Sequence, residues 1–98
     1  MVIIWSQPAR EDLRSIHQHI AHDSKQYATR VVQDIMDKAN VLLTVPRLGK
    51  TVPEIGEPDV REIAMYSWRI MYEIIGDTIY VHGVFHKRRD FKAEDLAR

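Results

Sequence analysis

Residues 84–91 read Val-Phe-His-Lys-Arg-Arg-Asp-Phe, so His86 is followed at once by three cations. Imidazole titrates near neutrality and can act as base or acid. Guanidinium groups hold phosphate and stabilise charge that develops on it. Cleavage of RNA by its own 2′-hydroxyl needs this set. His86 would move the proton, and Arg69 and Arg88 would grip the phosphate. The competing reading is that the arginines pair with acids such as Glu62 or Glu73 and do no chemistry. Lys87-Arg88-Arg89 could also be a nucleic-acid patch, a clamp for an acidic peptide, or a solvated strand end. His17, His19 and His22 suggest a metal, but on a helix only His19 and His22 share a face. Two ligands are too few, so no metal and no cofactor are expected. Trp5 and Trp68 read as core or hinge residues.

Bulk properties narrow the choice. The chain has 98 residues, with 14 Lys plus Arg balanced by 14 Asp plus Glu. That length suits one domain over residues 1–98. A zero net charge argues against a protein that holds nucleic acid mainly through phosphates. There are no cysteines, which excludes disulfides, thiolate metal sites and cysteine nucleophiles. The apolar run Val2–Trp5 is too short for a signal peptide, and no stretch is long enough to span a membrane. A cytoplasmic protein is expected.

The elements that would position these residues follow from periodicity and punctuation. Val2–Trp5 reads as a strand. Ser6 caps a helix, Pro8 is tolerated in its first turn, and Ala9, Leu13, Ile16 and Ile20 form its apolar face. Asp23 or Ser24 caps a second helix with a stripe from Ala28 through Val31, Val32, Ile35, Ala39, Leu42 and Leu43, ended by Pro46. The short break predicts an antiparallel helix hairpin. Residues 45–58 form a Pro/Gly-rich connection. Strands are predicted over 59–65, 68–75 and 78–86, with a turn at Tyr66-Ser67 and a tight hairpin at Gly76-Asp77. Residues 93–98 form a last helical turn or a tail. The class is α+β, in the order β-α-α-β-β-β, with the helix hairpin packed on a small antiparallel sheet.

The Gly76-Asp77 turn sets a register. Ile74 should face Ile79, Tyr72 Val81, Ile70 Gly83, and Trp68 Phe85, all on the side that packs on the helices. The other side should pair Ile75 with Thr78, Glu73 with Tyr80, Met71 with His82, and Arg69 with Val84, and should carry His86 and, in an unbroken strand, Arg88. This mixed surface is suited to a partner. The alternative is that the C-terminal tail folds back over it.

This ordered set resembles the RelE/ParE superfamily of type II toxins. The resemblance rests on Trp5 with Ala9, Asp12 and Leu13; Ile16, Ile20 and Ala28; Leu43 with Pro46 and Gly49; Arg61-Glu62-Ile63; Trp68 through Ile74; and His86 through Asp90. It implies a toxin bound and held inactive by a cognate antitoxin in a hetero-oligomer, with a role in plasmid stabilisation. Arg69 and Arg88 match arginines of the RelE-type nucleases, which cut mRNA on the ribosome. The lysine-rich strand of those nucleases is replaced here by Val60-Arg61-Glu62-Ile63, and Phe91 stands where a proton-exchanging side chain would be needed. The Arg-Glu-Ile strand and the His-x-Arg-Arg ending look like the ParE branch, which binds DNA gyrase. The expectation is therefore a ParE-like toxin without chemistry of its own. Its partner-binding residues would be Arg61, Arg69, Met71, Tyr80, His82, Val84, His86, Arg88 and Arg89. The alternatives are a ribosome-dependent endoribonuclease using Arg69, Arg88 and His86, and a non-toxic module that keeps only partner binding.

Overall fold

The computed structural model describes all residues 1–98. Strand β1 (Val2–Trp5) leads into α1 (Gln7–Ala21) and α2 (Lys25–Asn40), and a 3-10 turn follows at Val41–Leu43. Strand β2 (Lys50–Thr51) precedes β3 (Val60–Met65), β4 (Trp68–Ile75) and β5 (Thr78–His86), and Ala93–Asp95 forms a last 3-10 turn. The class is α+β, as the sequence predicts. Ser6 and Ser24 are the two helix caps, each accepting a backbone N–H three residues on, from Ala9 and from Tyr27. The apolar stripe of α2 outlasts the α-helix, because the chain tightens to 3-10 geometry at Val41 before reaching Pro46.

The strands form one sheet in the order β1-β5-β4-β3-β2. Two features go beyond the expected antiparallel sheet. β1 joins parallel to β5, pairing Ile3 with Ile79 and Trp5 with Val81. β2 is a two-residue strand inside the Pro/Gly connection, pairing Lys50 with Glu62 and Thr51 with Arg61. Too short for any periodicity, it is held by tertiary contacts. Gly49, just before it, is obligatory, since a Cβ there would sit 2.6 Å from the Glu62 carbonyl and 2.7 Å from the Tyr72 hydroxyl. That hydroxyl accepts from Gly49 N and donates to Pro46 O, which pins the connection beneath the sheet.

The hairpin register holds for four pairs, from Ile75 with Thr78 to Tyr72 with Val81. It then breaks. A β-bulge at His82 moves every later pair by one, so Met71 pairs with Gly83, Ile70 with Val84, Arg69 with Phe85, and Trp68 with His86. An extra residue in one strand transfers the rest of that strand's side chains to the opposite face. Val84 therefore joins the helix-packed core with Ile70 and Tyr72, and Phe85 joins the other side.

The bulge is stabilised from α1. Beyond Trp5, β5 has no strand on its outer edge, and buried backbone groups need partners. Ser6 Oγ donates to the His82 carbonyl at 3.2 Å, and Asp12 Oδ2 accepts from Val84 N at 2.9 Å. Burial pushes the Asp12 carboxyl above its usual range, against the lowering effects of the Val84 N–H and of Arg89.

Two apolar clusters result. The larger lies between sheet and helices and includes Ala9, Leu13, Ile16, Val31, Ile35, Ile63, Ile70, Tyr72, Ile79, Val81 and Val84. The smaller lies on the back of the sheet and consists of Val52, Val60, Met71, Phe85, Phe91 and Leu96. Phe91 and Leu96 come from the tail, so the tail does fold back over the sheet.

Candidate functional site

The nine residues expected to form one binding surface are distributed over three places. Arg69, Met71, Tyr80 and His82 share the back face. Arg61, Val84 and His86 belong to the helix-facing side. Arg88 and Arg89 lie in the turn after β5, because the strand stops at His86. The shared face expected for Val84, His86 and Arg88 with Arg69 is thus corrected, and its physical cause is the bulge at His82.

Arg69 is the centre of the back face. Its Nε and one terminal nitrogen donate to Glu62 at 2.9 and 2.7 Å, and its terminal nitrogens donate to Glu54 at 3.0 Å each. Two bidentate carboxylates therefore occupy the guanidinium. They raise its pKa further above the ordinary arginine range, and the hydrogen bond from Arg69 lowers that of Glu54. The guanidinium also lies 5.4 Å from the Phe91 ring centroid, and Phe91 packs edge-on against Phe85 at 4.9 Å. The acid-pairing alternative is correct for Arg69 and Glu62. Glu54 was not legible as a partner, because it sits in the irregular connection and reaches Arg69 only through the fold.

A second ionic group closes the same face further along. His82 Nε2 lies 2.9 Å from Glu73 Oε1, and the His82 ring stacks on Tyr80 at 6.4 Å between centroids. Arg98, at the end of the tail, donates to Glu73 at 3.2 and 3.1 Å and to Glu57 at 2.7 and 2.9 Å. Burial raises the Glu73 carboxyl, but the bonds from Arg98 and His82 outweigh it and the net shift is downward.

His86 points the other way. Its ring packs edge-on against Trp68 with centroids 5.0 Å apart, beside His19, Ile20 and Tyr27 of the helices. Its Nδ1 accepts from the Arg88 backbone N–H at 3.1 Å. His86 and Arg69 are therefore on opposite sides of the sheet. Arg61 donates to the Pro58 and Gly49 carbonyls at 2.9 and 2.8 Å and fastens the connection to β3. Arg89 lies 5.0 Å from the Phe85 ring centroid and 3.7 Å from Asp95.

The largest concavity is an open cavity of about 750 Å³ beside β3. Lys38, Lys50, Lys87 and Arg69 line it with Glu54, Glu62, Leu48, Pro53, Ile63 and Ala64. The three lysines come from α2, β2 and the turn after β5, so no local motif announces them. No group of three metal-ligating side chains converges anywhere in the structure.

Comparison with known proteins decides the family. The family model described as ParE toxin of the type II toxin–antitoxin system parDE matches residues 3–91. The chain belongs to this ParE toxin family. Among solved structures it is similar to one from a chromosomal ParDE toxin–antitoxin system of P. aeruginosa. That match has a TM-score of 0.73 and 24% identity, covering 88% of this chain and 95% of the other. It is also similar to a chain of the RelBE2 toxin–antitoxin complex from Mycobacterium tuberculosis. There the TM-score is 0.64 at 20% identity, covering 87% of this chain and 95% of that one. A search of curated proteins returns no match. At these identities the structural likeness shows the fold, and the family model carries the membership.

Proposed function

We propose that this ParE-family chain is a cytoplasmic toxin that inhibits DNA gyrase by binding it, and that a cognate antitoxin neutralises it in a hetero-complex. The supporting observation is the separation of the nuclease candidates. Arg69 is held by two carboxylates on the back face, whereas His86 packs against Trp68 on the helix side. The titratable groups beside Arg69 are Glu54 and Glu62, which its guanidinium holds as ion-pair partners, and Phe91 against it has no proton to exchange. A toxin that acts by occupying its target needs no such constellation. It needs surface, and the turn with Lys87, Arg88 and Arg89 leaves exposed cations next to the cavity.

The test adds purified protein to a gyrase supercoiling assay and to a cell-free translation assay. Loss of supercoiling with intact mRNA is the expected outcome. Codon-positioned cuts in mRNA with normal supercoiling would replace this reading by a ribosome-dependent endoribonuclease, and Arg69→Ala should then abolish the cuts. Silence in both assays with retained antitoxin binding would leave a partner-binding module derived from a toxin.

A further inference from the structure

The two outer strands of the sheet differ in how they discourage further pairing. β2 carries the cation Lys50 and is followed closely by Pro53, both of which oppose an added strand. β1 reads Val-Ile-Ile-Trp, with no charge, no proline and no bulge. Ser6 and Gln7, which follow it, are uncharged as well. β1 pairs only with β5, and α1 turns away from it to pack over β5.

Two hydrogen bonds fix the direction of the backbone along β1. Val2 N donates to the Asp77 carbonyl and Ser6 N to the Val81 carbonyl, both at 3.0 Å. In a parallel pair the N–H and C=O of one residue point to the same neighbour, and alternate residues point away. The even-numbered residues of β1 therefore face β5. Ile3 and Trp5 turn their N–H and C=O groups to the open edge, while their side chains pack against the helix-facing core. Val2 and Ile4 lie on the back of the sheet, 57% and 42% exposed. Ile75 continues this apolar strip across Thr78, at 50%.

We propose that this edge pairs with the same edge of a second copy of the chain. A twofold axis through Ile4 sets Ile3 opposite Trp5 of the second copy, and Trp5 opposite its Ile3. These are the residues whose backbone groups point outward, so both pairs exchange N–H and C=O. The two sheets become one, with the helices of both copies on the same side. On the back face Ile4 meets Ile4. The edge itself specifies this occupant. Its outward groups repeat symmetrically about Ile4, and the strand carries no charge that would repel its own image. The zero net charge of the chain leaves no long-range repulsion between copies. A charged peptide segment would instead set its charges against Val2 and Ile4, which offer them no partner. The contact is smaller than the roughly 1,200 Å² of a stable complex, so the dimer forms as concentration rises. It does not depend on the target proposed above.

Cross-linking tests the register. The chain has no cysteine, so Ile4→Cys introduces a single thiol. Flanked by hydrogen-bonded pairs, the two Cα atoms at this position lie about 4.5 Å apart, within the span of a disulfide. Mild oxidation of purified Ile4→Cys should give a covalent dimer about tenfold faster than Gln26→Cys, at an exposed position on α2. Light scattering of the unsubstituted chain over a dilution series should show the mass rising toward that of two copies. Hydrogen exchange at the Ile3 and Trp5 amides should slow over the same range. Ile4→Lys should keep the mass of one copy, with an unchanged melting temperature. Equal cross-linking at Ile4 and Gln26 would overturn the proposal. So would a single-copy mass at every concentration, or a dimer that survives Ile4→Lys.

Discussion

The two sides of the sheet are built from the same three long strands, yet they are held together differently. The helix-facing side is almost wholly apolar, and its residues come from regular, periodic elements. The back side mixes Met71, Phe85 and Val60 with Arg69, Glu62, Glu73 and His82, and it is completed by the connection and the tail. Burial of apolar area needs no precise partner, whereas buried charge requires one at hydrogen-bond distance. The first side can therefore be assembled from local pattern. The second depends on residues far away in sequence, such as Glu54, Phe91 and Arg98.

Neighbouring residues on β4 make the sharpest contrast. Ile70 and Met71 are both fully buried, one on each side. Ile70→Ala should cost about 4 kcal/mol, because sheet and helices cannot collapse onto the cavity. Met71→Ala should cost about 2 kcal/mol, since the tail segment carrying Phe91 and Leu96 can settle into the space. Urea denaturation of both variants measures the difference, and equal losses would mean that the tail is as firmly packed as the helices.

A smaller effect is expected within the ionic pair network. Glu62→Gln should destabilise the fold by about 2 kcal/mol, because it leaves Arg69 poorly paired in a half-buried place while Glu54 partly compensates. Glu54→Gln, at a more exposed position, should cost about 0.5 kcal/mol. If the two substitutions cost the same, Arg69 does not discriminate between its partners.

The smallest effect is in the pH dependence. Glu73 has its pKa lowered from an ordinary 4.5 in the folded chain. Its bonds to Arg98 and His82 therefore contribute stability that is full above 4.5 and fades as pH falls through the lowered folded value. Arg98→Ala should flatten this acid loss and leave the neutral-pH stability only slightly reduced. Asp12, raised above 3.8, works in the opposite direction, because the ionised unfolded state gains as pH rises through that window. Asp12→Asn should accordingly steepen the net acid loss. Denaturation at neutral pH and below the ordinary carboxylate range separates these contributions.

Legibility in the sequence divides along the same line. The caps at Ser6 and Ser24, the two apolar helix stripes, β4 and β5 to the residue, and the turn at Gly76-Asp77 all follow from local pattern. The pairing of Arg69 with Glu62 was within reach, since adjacent strands place them near each other. The bulge was not. Gly83 inside the strand is the one local sign of it, but the backbone groups at the extra residue are satisfied by Ser6 and Asp12, more than seventy residues earlier. β2 was also out of reach, as two residues carry no period.

By itself the sequence determined the class of fold, the helix-facing core up to the bulge in β5, and the resemblance that family membership bears out. These depend on side-chain spacing within single elements, which the chain carries wherever it goes. The tertiary structure alone decided which cations are free and which are neutralised. A guanidinium's availability is set by the carboxylates that reach it through space, and one inserted residue in β5 was enough to put His86 and Arg69 on opposite sides.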